Sequence, residues 1–164
     1  MASTLFPLVR DHYYLKHPII IEEITFGGHT FLSKYERVEN YLSDDLIQKH
    51  QDHKITIATN IPLNAPYLIF DYNGNDQALF YHKLIKILKQ HDISEYVAYE
   101  SKTTSHLHLY LYCGHISAPQ REELGKMISI KLEEKLQKQW RIFPNSSLPD
   151  AYNIINLPYN IYKG

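Results

Sequence analysis

The segment His106-Leu107-His108-Leu109-Tyr110-Leu111-Tyr112 alternates polar rings with leucines. Side chains two apart on a strand share a face, so His106, His108, Tyr110 and Tyr112 fall on one side and Leu107, Leu109 and Leu111 on the other. The leucine side must pack on helices. The ring side is expected to be open or to face a cleft. A second segment, Pro66 to Tyr72, is strongly apolar and runs into Asp71-Tyr72-Asn73. There Tyr67, Ile69, Asp71 and Asn73 share a face. With these two segments paired at the centre of one sheet, Asp71 and His108 converge on the open face. A carboxylate and an imidazole meeting there have three readings. The first is a local hydrogen bond that orients surface groups. The second is a zinc site, because His-x-His presents two nitrogens to one side and Asp71 could be a third ligand. The third is a nucleotide site, with Asp71 near a divalent metal and His108 near phosphate, since such metals take oxygen ligands and share the phosphates.

The surrounding chain reads as alternating strands and helices. Residues 76–91 follow a helical period, with Phe80, Leu84 and Leu88 at spacing four and Tyr81 and Ile85 beside them. Tyr96 to Glu100 reads as a strand, followed by a polar connection. Ser117 can cap the next helix with Gln120 as its capping-box partner. Leu124, Met127, Ile128, Leu132 and Leu136 give that helix an apolar stripe to about Lys138. Trp140 to Phe143 closes the unit. Residues 66 to about 143 therefore form a β-α-β-β-α-β order, the ferredoxin-like split pattern. Ahead of it, residues 18–26 and 29–36 read as strands joined at Gly27-Gly28. Ser43 to about Gln51 reads as a short helix, and Lys54 to Ala58 as a strand. Residues 1–17, with Phe6, Tyr13, Tyr14 and Leu15, are expected to dock on the body. Ala151 to Tyr162 is expected to add a strand or an extended segment. The fold class is α+β, with one domain over 1–164: an N-terminal α/β extension at 1–62 and a core at 66–162.

Composition narrows the classes. With 17 basic and 18 acidic residues the chain carries a net charge of −1, which argues against a generally basic nucleic-acid coat but leaves room for a local patch. The single cysteine, Cys113, excludes an internal disulfide. The first residues lack the basic and then apolar pattern of a secretory leader. No run approaches the ~18 apolar residues of a membrane span. The expected location is the cytoplasm. Fourteen tyrosines suit half-buried sheets and binding surfaces, because each ring has an apolar body and a polar tip.

Several motifs, taken in order, resemble the primase-polymerases, the archaeo-eukaryotic primase superfamily. The strand ending in Asp71-Tyr72-Asn73 is similar to their Asp-x-Asp motif. Ser101-Lys102-Thr103-Thr104-Ser105-His106-Leu107-His108 is similar to their Ser-x-His hairpin, whose histidine contacts the triphosphate. Arg141-Ile142-Phe143-Pro144 followed by Asn153-Ile154-Ile155-Asn156-Leu157-Pro158 resembles the end of the domain in several bacterial members. The resemblance covers roughly residues 54 to 162. The chain is also similar to a small, uncharacterised bacterial family assigned a primase-polymerase-like fold.

The resemblance implies roles residue by residue. Asp71 matches the first metal-binding acid and His108 the hairpin histidine, the two catalytic positions of an active member. Ser101, Lys102, Ser105 and His106 lie in or beside the loop that would face phosphate. Asn73 stands at the second acid, a weak metal ligand beside Asp71. Arg141 stands at the third acid, and Asn156 where a basic residue is expected. Magnesium or manganese is the implied cofactor. Two-metal phosphoryl transfer needs several carboxylates, so Asn73 and Arg141 imply a binding domain without efficient catalysis. Asp76 or Glu100 could substitute for a missing acid. The implied partners are a nucleoside triphosphate or single-stranded nucleic acid, with no membrane.

Two other functions compete. An active nucleotidyltransferase with displaced acids is one. The other is an RNA-binding or structural module, in which Tyr67, Tyr110 and Tyr112 would stack bases. His50-x-x-His53 is expected to be an exposed, solvated pair, and the lysines of both central helices a solvated face. Cys113 carries no assigned role.

Overall fold

The computed structural model describes residues 8–164. Phe6, one of the residues expected to dock the N-terminal stretch, lies outside the described residues. The chain divides into two compact units. One comprises Met1–Pro62 with Asn145–Leu157, the other Leu63–Pro144 with Pro158–Gly164. Among the described residues no helix is long and apolar enough to cross a membrane.

In the first unit, strands β1 (Tyr13–Lys16), β4 (Tyr35–Val38), β5 (Ile57–Asn60) and β10 (Ile154–Asn156) form an antiparallel sheet in the order β10-β5-β1-β4. Strands β2 (Glu22–Phe26) and β3 (His29–Ser33) form a separate hairpin. Its turn needs positive φ at both central residues, and Gly27 and Gly28 supply it, at 58° and 77°. Helix α1 (Asp44–Gln51) starts where the Ser43 hydroxyl accepts from the Leu46 N–H, with Asp44 and Asp45 favouring the positive end of the helix dipole. The helix is capped at Asp52, and His53 takes a left-handed φ of 59°. The Lys54 N–H then returns to the Lys49 carbonyl. That turn consumes Lys54 and Ile55, which is why β5 begins at Ile57 and not at Lys54. Tyr13, Leu42, Ile47, Ile57 and Leu157 make the core of this unit.

His50 differs from its expectation as a solvated residue. It is fully buried. Its Nδ1 accepts from the Ile57 N–H at 3.0 Å, and its Nε2–H donates to the Leu157 carbonyl at 2.9 Å. The ring bridges the backbone of β5 and that of the residue following β10.

The second unit contains β6 (Tyr67–Tyr72), α2 (Gln77–Gln90), β7 (Tyr96–Glu100), β8 (Leu107–Tyr112), α3 (Ala118–Glu133) and β9 (Trp140–Phe143). The sheet order is β7-β8-β6-β9, antiparallel throughout, so the first and third strands of the β-α-β-β-α-β unit are central as expected. The protein is α+β. Leu107, Leu109 and Leu111 pack with Leu68, Phe70 and Tyr72 against Leu84, Leu88, Ile128 and Leu132 of the two helices. The turn after β6 folds over its own strand. Tyr72 stacks on Phe80 at 4.4 Å, and its hydroxyl accepts from the Asp76 N–H. A side chain at Gly74 would collide with that phenol and with Gln139.

Helix α3 opens with the expected capping box: the Ser117 hydroxyl accepts from the Gln120 N–H, and Gln120 Oε1 accepts from the Ser117 N–H. Ser117→Ala is expected to cost about 1 kcal/mol in a urea titration. The helix stops at Glu133, short of Lys138. The Leu132 carbonyl takes the N–H groups of Lys135 and Leu136, and the chain turns back. The reversal places the Trp140 Nε1–H on the Ser129 hydroxyl, 2.9 Å away in the core.

The C-terminal stretch divides its tasks. Ile154–Asn156 joins β5 of the first unit as β10. Residues 158–162 run along β7, with the Glu100 N–H on the Asn160 carbonyl and the Tyr162 N–H on the Ala98 carbonyl. Cys113 is buried at the end of β8, and burial holds its thiol up at about 11, against a smaller opposing effect of Arg121. Only the thiolate is an effective nucleophile. Iodoacetamide at neutral pH should therefore leave the native protein unmodified and alkylate it once urea unfolds it. Rapid labelling of the native chain would contradict this.

Candidate functional site: a polar row across the second sheet

Strand register brings one residue from each of the four strands into line. Tyr99 of β7 pairs with His108 of β8, His108 with Asp71 of β6, and Asp71 with Arg141 of β9. Directly opposed residues share a face. All four therefore stand on the side away from the helices. His108 Nε2 lies 3.2 Å from Asp71 Oδ1, and Arg141 Nη2 donates to Asp71 Oδ2 at 3.0 Å. Asn73 Nδ2 reaches the same Oδ2 at 3.4 Å and the Asp71 carbonyl at 3.3 Å. The Asp71–His108 meeting expected from alternation is thus present, and Arg141 completes it as a partner of the acid.

The environment differs from the expected open face. Asp71 and His108 are each 4% exposed, and Tyr67, Tyr99 and Tyr110 are also buried. These rings carry large apolar bodies that pack on one another: Tyr110 meets Tyr67 at 5.7 Å and Tyr99 edge-on at 5.4 Å. Burial raises the Tyr67 phenol, and it raises Tyr110 further. Of the three tyrosines that could form a stacking platform, Tyr112 is the exposed one, at 39%. The row opens to solvent at its β9 end, where the Arg141 side chain is 62% exposed and Asn73 is exposed beside it.

Two opposing effects set the charge of Asp71. Burial pushes its carboxyl up. The hydrogen bond and charge of His108, the charge of Arg141 and the Asn73 amide together outweigh burial and hold it below the usual carboxylate range. The acid is ionised at neutral pH. The second nitrogen of His108, Nδ1, is buried without a hydrogen-bond partner. With Nε2 facing the Asp71 carboxylate, Nδ1 is left as an unused polar atom closed off from solvent.

The other sequence-derived residues lie elsewhere. Ser105 and its neighbours Thr103 and Thr104 line a shallow depression of about 420 Å³ with Asp76 and Gln77 at the start of α2. Asp71 and His108 do not line it. Ser101 and Lys102 precede this stretch in the same connection. His106 sits just before β8, its N–H on the Thr103 carbonyl and its carbonyl accepting from Gln77 Nε2. Asn156 belongs to β10 in the first unit, where its Oδ1 accepts from the Tyr35 hydroxyl at 2.8 Å. Neither candidate substitute acid joins the row. Asp76 Oδ1 caps α2 by accepting from the Leu79 N–H. Glu100 pairs with Leu107 and so stands on the helix side, while Tyr99 takes the place beside His108. Among the described residues, no group of three or more His, Cys, Asp or Glu side chains is arranged to hold a metal ion.

Sequence reasoning missed Tyr99 and the Asp71–Arg141 ion pair. Alternation was visible in both strands, but which residue of β7 faces His108 depends on the turn at 101–106. The signal for Arg141 was its position in the closing strand of the unit, which had to lie beside β6.

A family model described as a domain of unknown function (DUF1882) matches residues 1–65. The match ends before β6 and includes no member of the polar row. No curated protein matches the chain.

Proposed function

We propose that this chain is a primase-polymerase-like domain that binds a nucleoside triphosphate or single-stranded nucleic acid in the cytoplasm without efficient nucleotidyl transfer. One observation carries the reading: the Tyr99–His108–Asp71–Arg141 row, with one buried acid gripped by two basic side chains and with His108 Nδ1 lacking a partner. Nucleotidyl transfer needs several carboxylates that offer lone pairs to cations. Here the one carboxylate of the row is already committed to donors. What the row still offers is the exposed Arg141 guanidinium with its remaining N–H groups, which suit phosphate or a nucleic-acid backbone. The order of motifs that resembles the primase-polymerases supports the same ligand class.

Two assays test this together. Fluorescence anisotropy with short single strands and labelled nucleoside triphosphates should show binding that weakens in His108→Ala. Primer extension and de novo priming should yield no product. Product that disappears in Asp71→Asn and His108→Ala would show an active enzyme. Failure to bind every strand and nucleotide would sink the proposal.

A further inference from the structure

We infer that the row recognises the phosphate of its ligand without a divalent cation, the Arg141 guanidinium standing where a metal ion would. This rests on the nucleotide-binding reading above and deepens it. Magnesium and manganese are held by oxygen lone pairs, usually from carboxylates, together with the substrate phosphates. The residues of the row do not fit that demand. Asp71 is its one carboxylate, and both oxygens face donors: His108 Nε2 at 3.2 Å on Oδ1, and Arg141 Nη2 at 3.0 Å with Asn73 Nδ2 at 3.4 Å on Oδ2. A cation seated there would displace a guanidinium and then meet its charge.

The same arrangement suits an anion. The charges of Asp71 and Arg141 cancel, so the row carries no net negative charge. Arg141 touches Asp71 through Nη2 alone and is 62% exposed. Its Nε and Nη1 form no hydrogen bond among the described residues. A guanidinium fork binds phosphate through paired N–H groups, and here the acid behind it fixes its direction. Asn73, exposed at the same end, adds a second polar group. Asp71 is then a positioning residue for both bases, not a metal ligand.

Isothermal titration calorimetry of the full chain decides the point, with ATP and inorganic tripolyphosphate as probes, each in EDTA and in manganese chloride. Native protein should bind with similar affinity in both media. Arg141→Ala should weaken binding by about tenfold or more in both, and Arg141→Lys, which keeps the charge but loses the fork, should fall between. A thermal melt by circular dichroism establishes that the variants fold. Binding that requires manganese and vanishes in EDTA overturns the inference while leaving nucleotide binding in place. Unchanged affinity in Arg141→Ala overturns it too. No binding in either medium overturns the nucleotide reading itself.

Discussion

Asp71→Ala is expected to destabilise the protein by about 3 kcal/mol, at the lower end of what is lost when one partner of a buried ion pair is removed. The lower end applies because the Arg141 contact is partly screened, its side chain being 62% exposed. Asp71→Asn keeps the shape and one acceptor, so its cost should be smaller. The effect has a defined pH dependence. A carboxyl held below its ordinary range contributes stability above its unfolded value, near ~3.9, and loses it as the pH falls through the folded value. Urea titrations of the native protein and Asp71→Asn should therefore diverge at neutral pH and converge under acid. Equal stabilities at pH 7 would show that the row holds nothing together.

The second large effect belongs to the other unit. His50→Ala should cost about 3–4 kcal/mol, from a cavity in a fully buried site and from two backbone groups left unsatisfied. The ring accepts from the Ile57 N–H and donates to the Leu157 carbonyl. It thereby ties α1 to β5 and to the residue that follows β10. His50→Phe separates the two contributions, because it fills the volume without the hydrogen bonds. It should recover part of the loss and no more. Chemical denaturation followed by tyrosine fluorescence and circular dichroism would measure this. A cost below about 1 kcal/mol for His50→Ala would mean that the bridge is replaceable by solvent.

The two residues mark where sequence reading succeeds and where it stops. Alternation in 106–112 sorted leucines from rings, and the apolar run at 66–72 demanded a central strand, so the Asp71–His108 pairing was legible. Ser117 with Gln120, and Ser43 before two acids, announced helix starts through local hydrogen bonding. Long-range pairings left weaker marks. β1 is four residues long and β10 three, too short for a periodic pattern, and β10 finds β5 across about a hundred residues. His50 looked like a helix-end surface residue because its partners, Ile57 and Leu157, come from the next strand and from the far end of the chain. The helix-side position of Glu100 and the place of Tyr99 in the row were decided by strand register. One residue of slip exchanges them, and nothing in Tyr96–Glu100 itself selects between the two.

The same limit applies to chemistry. Arg141, standing where the primase-polymerase resemblance expects an acid, implied a binding domain without efficient catalysis. Only the register of β9 against β6 shows the guanidinium on the Asp71 carboxylate itself. The guanidinium occupies one Asp71 carboxylate oxygen with a donor, while most of the Arg141 side chain stays exposed at the end of the row.

The central claim is that the row engages a nucleotide, with His108 coupled to the exposed Arg141 end through Asp71. An imidazole-selective ¹H–¹⁵N NMR titration with ATP tests it most directly. Before ligand, His108 should show a protonated Nε2 held by Asp71. On addition of ATP the Nε2 resonance should move, because engagement of Arg141 by phosphate alters the carboxylate that the two side chains share. A saturating titration that leaves both nitrogens of His108 unmoved would contradict the account.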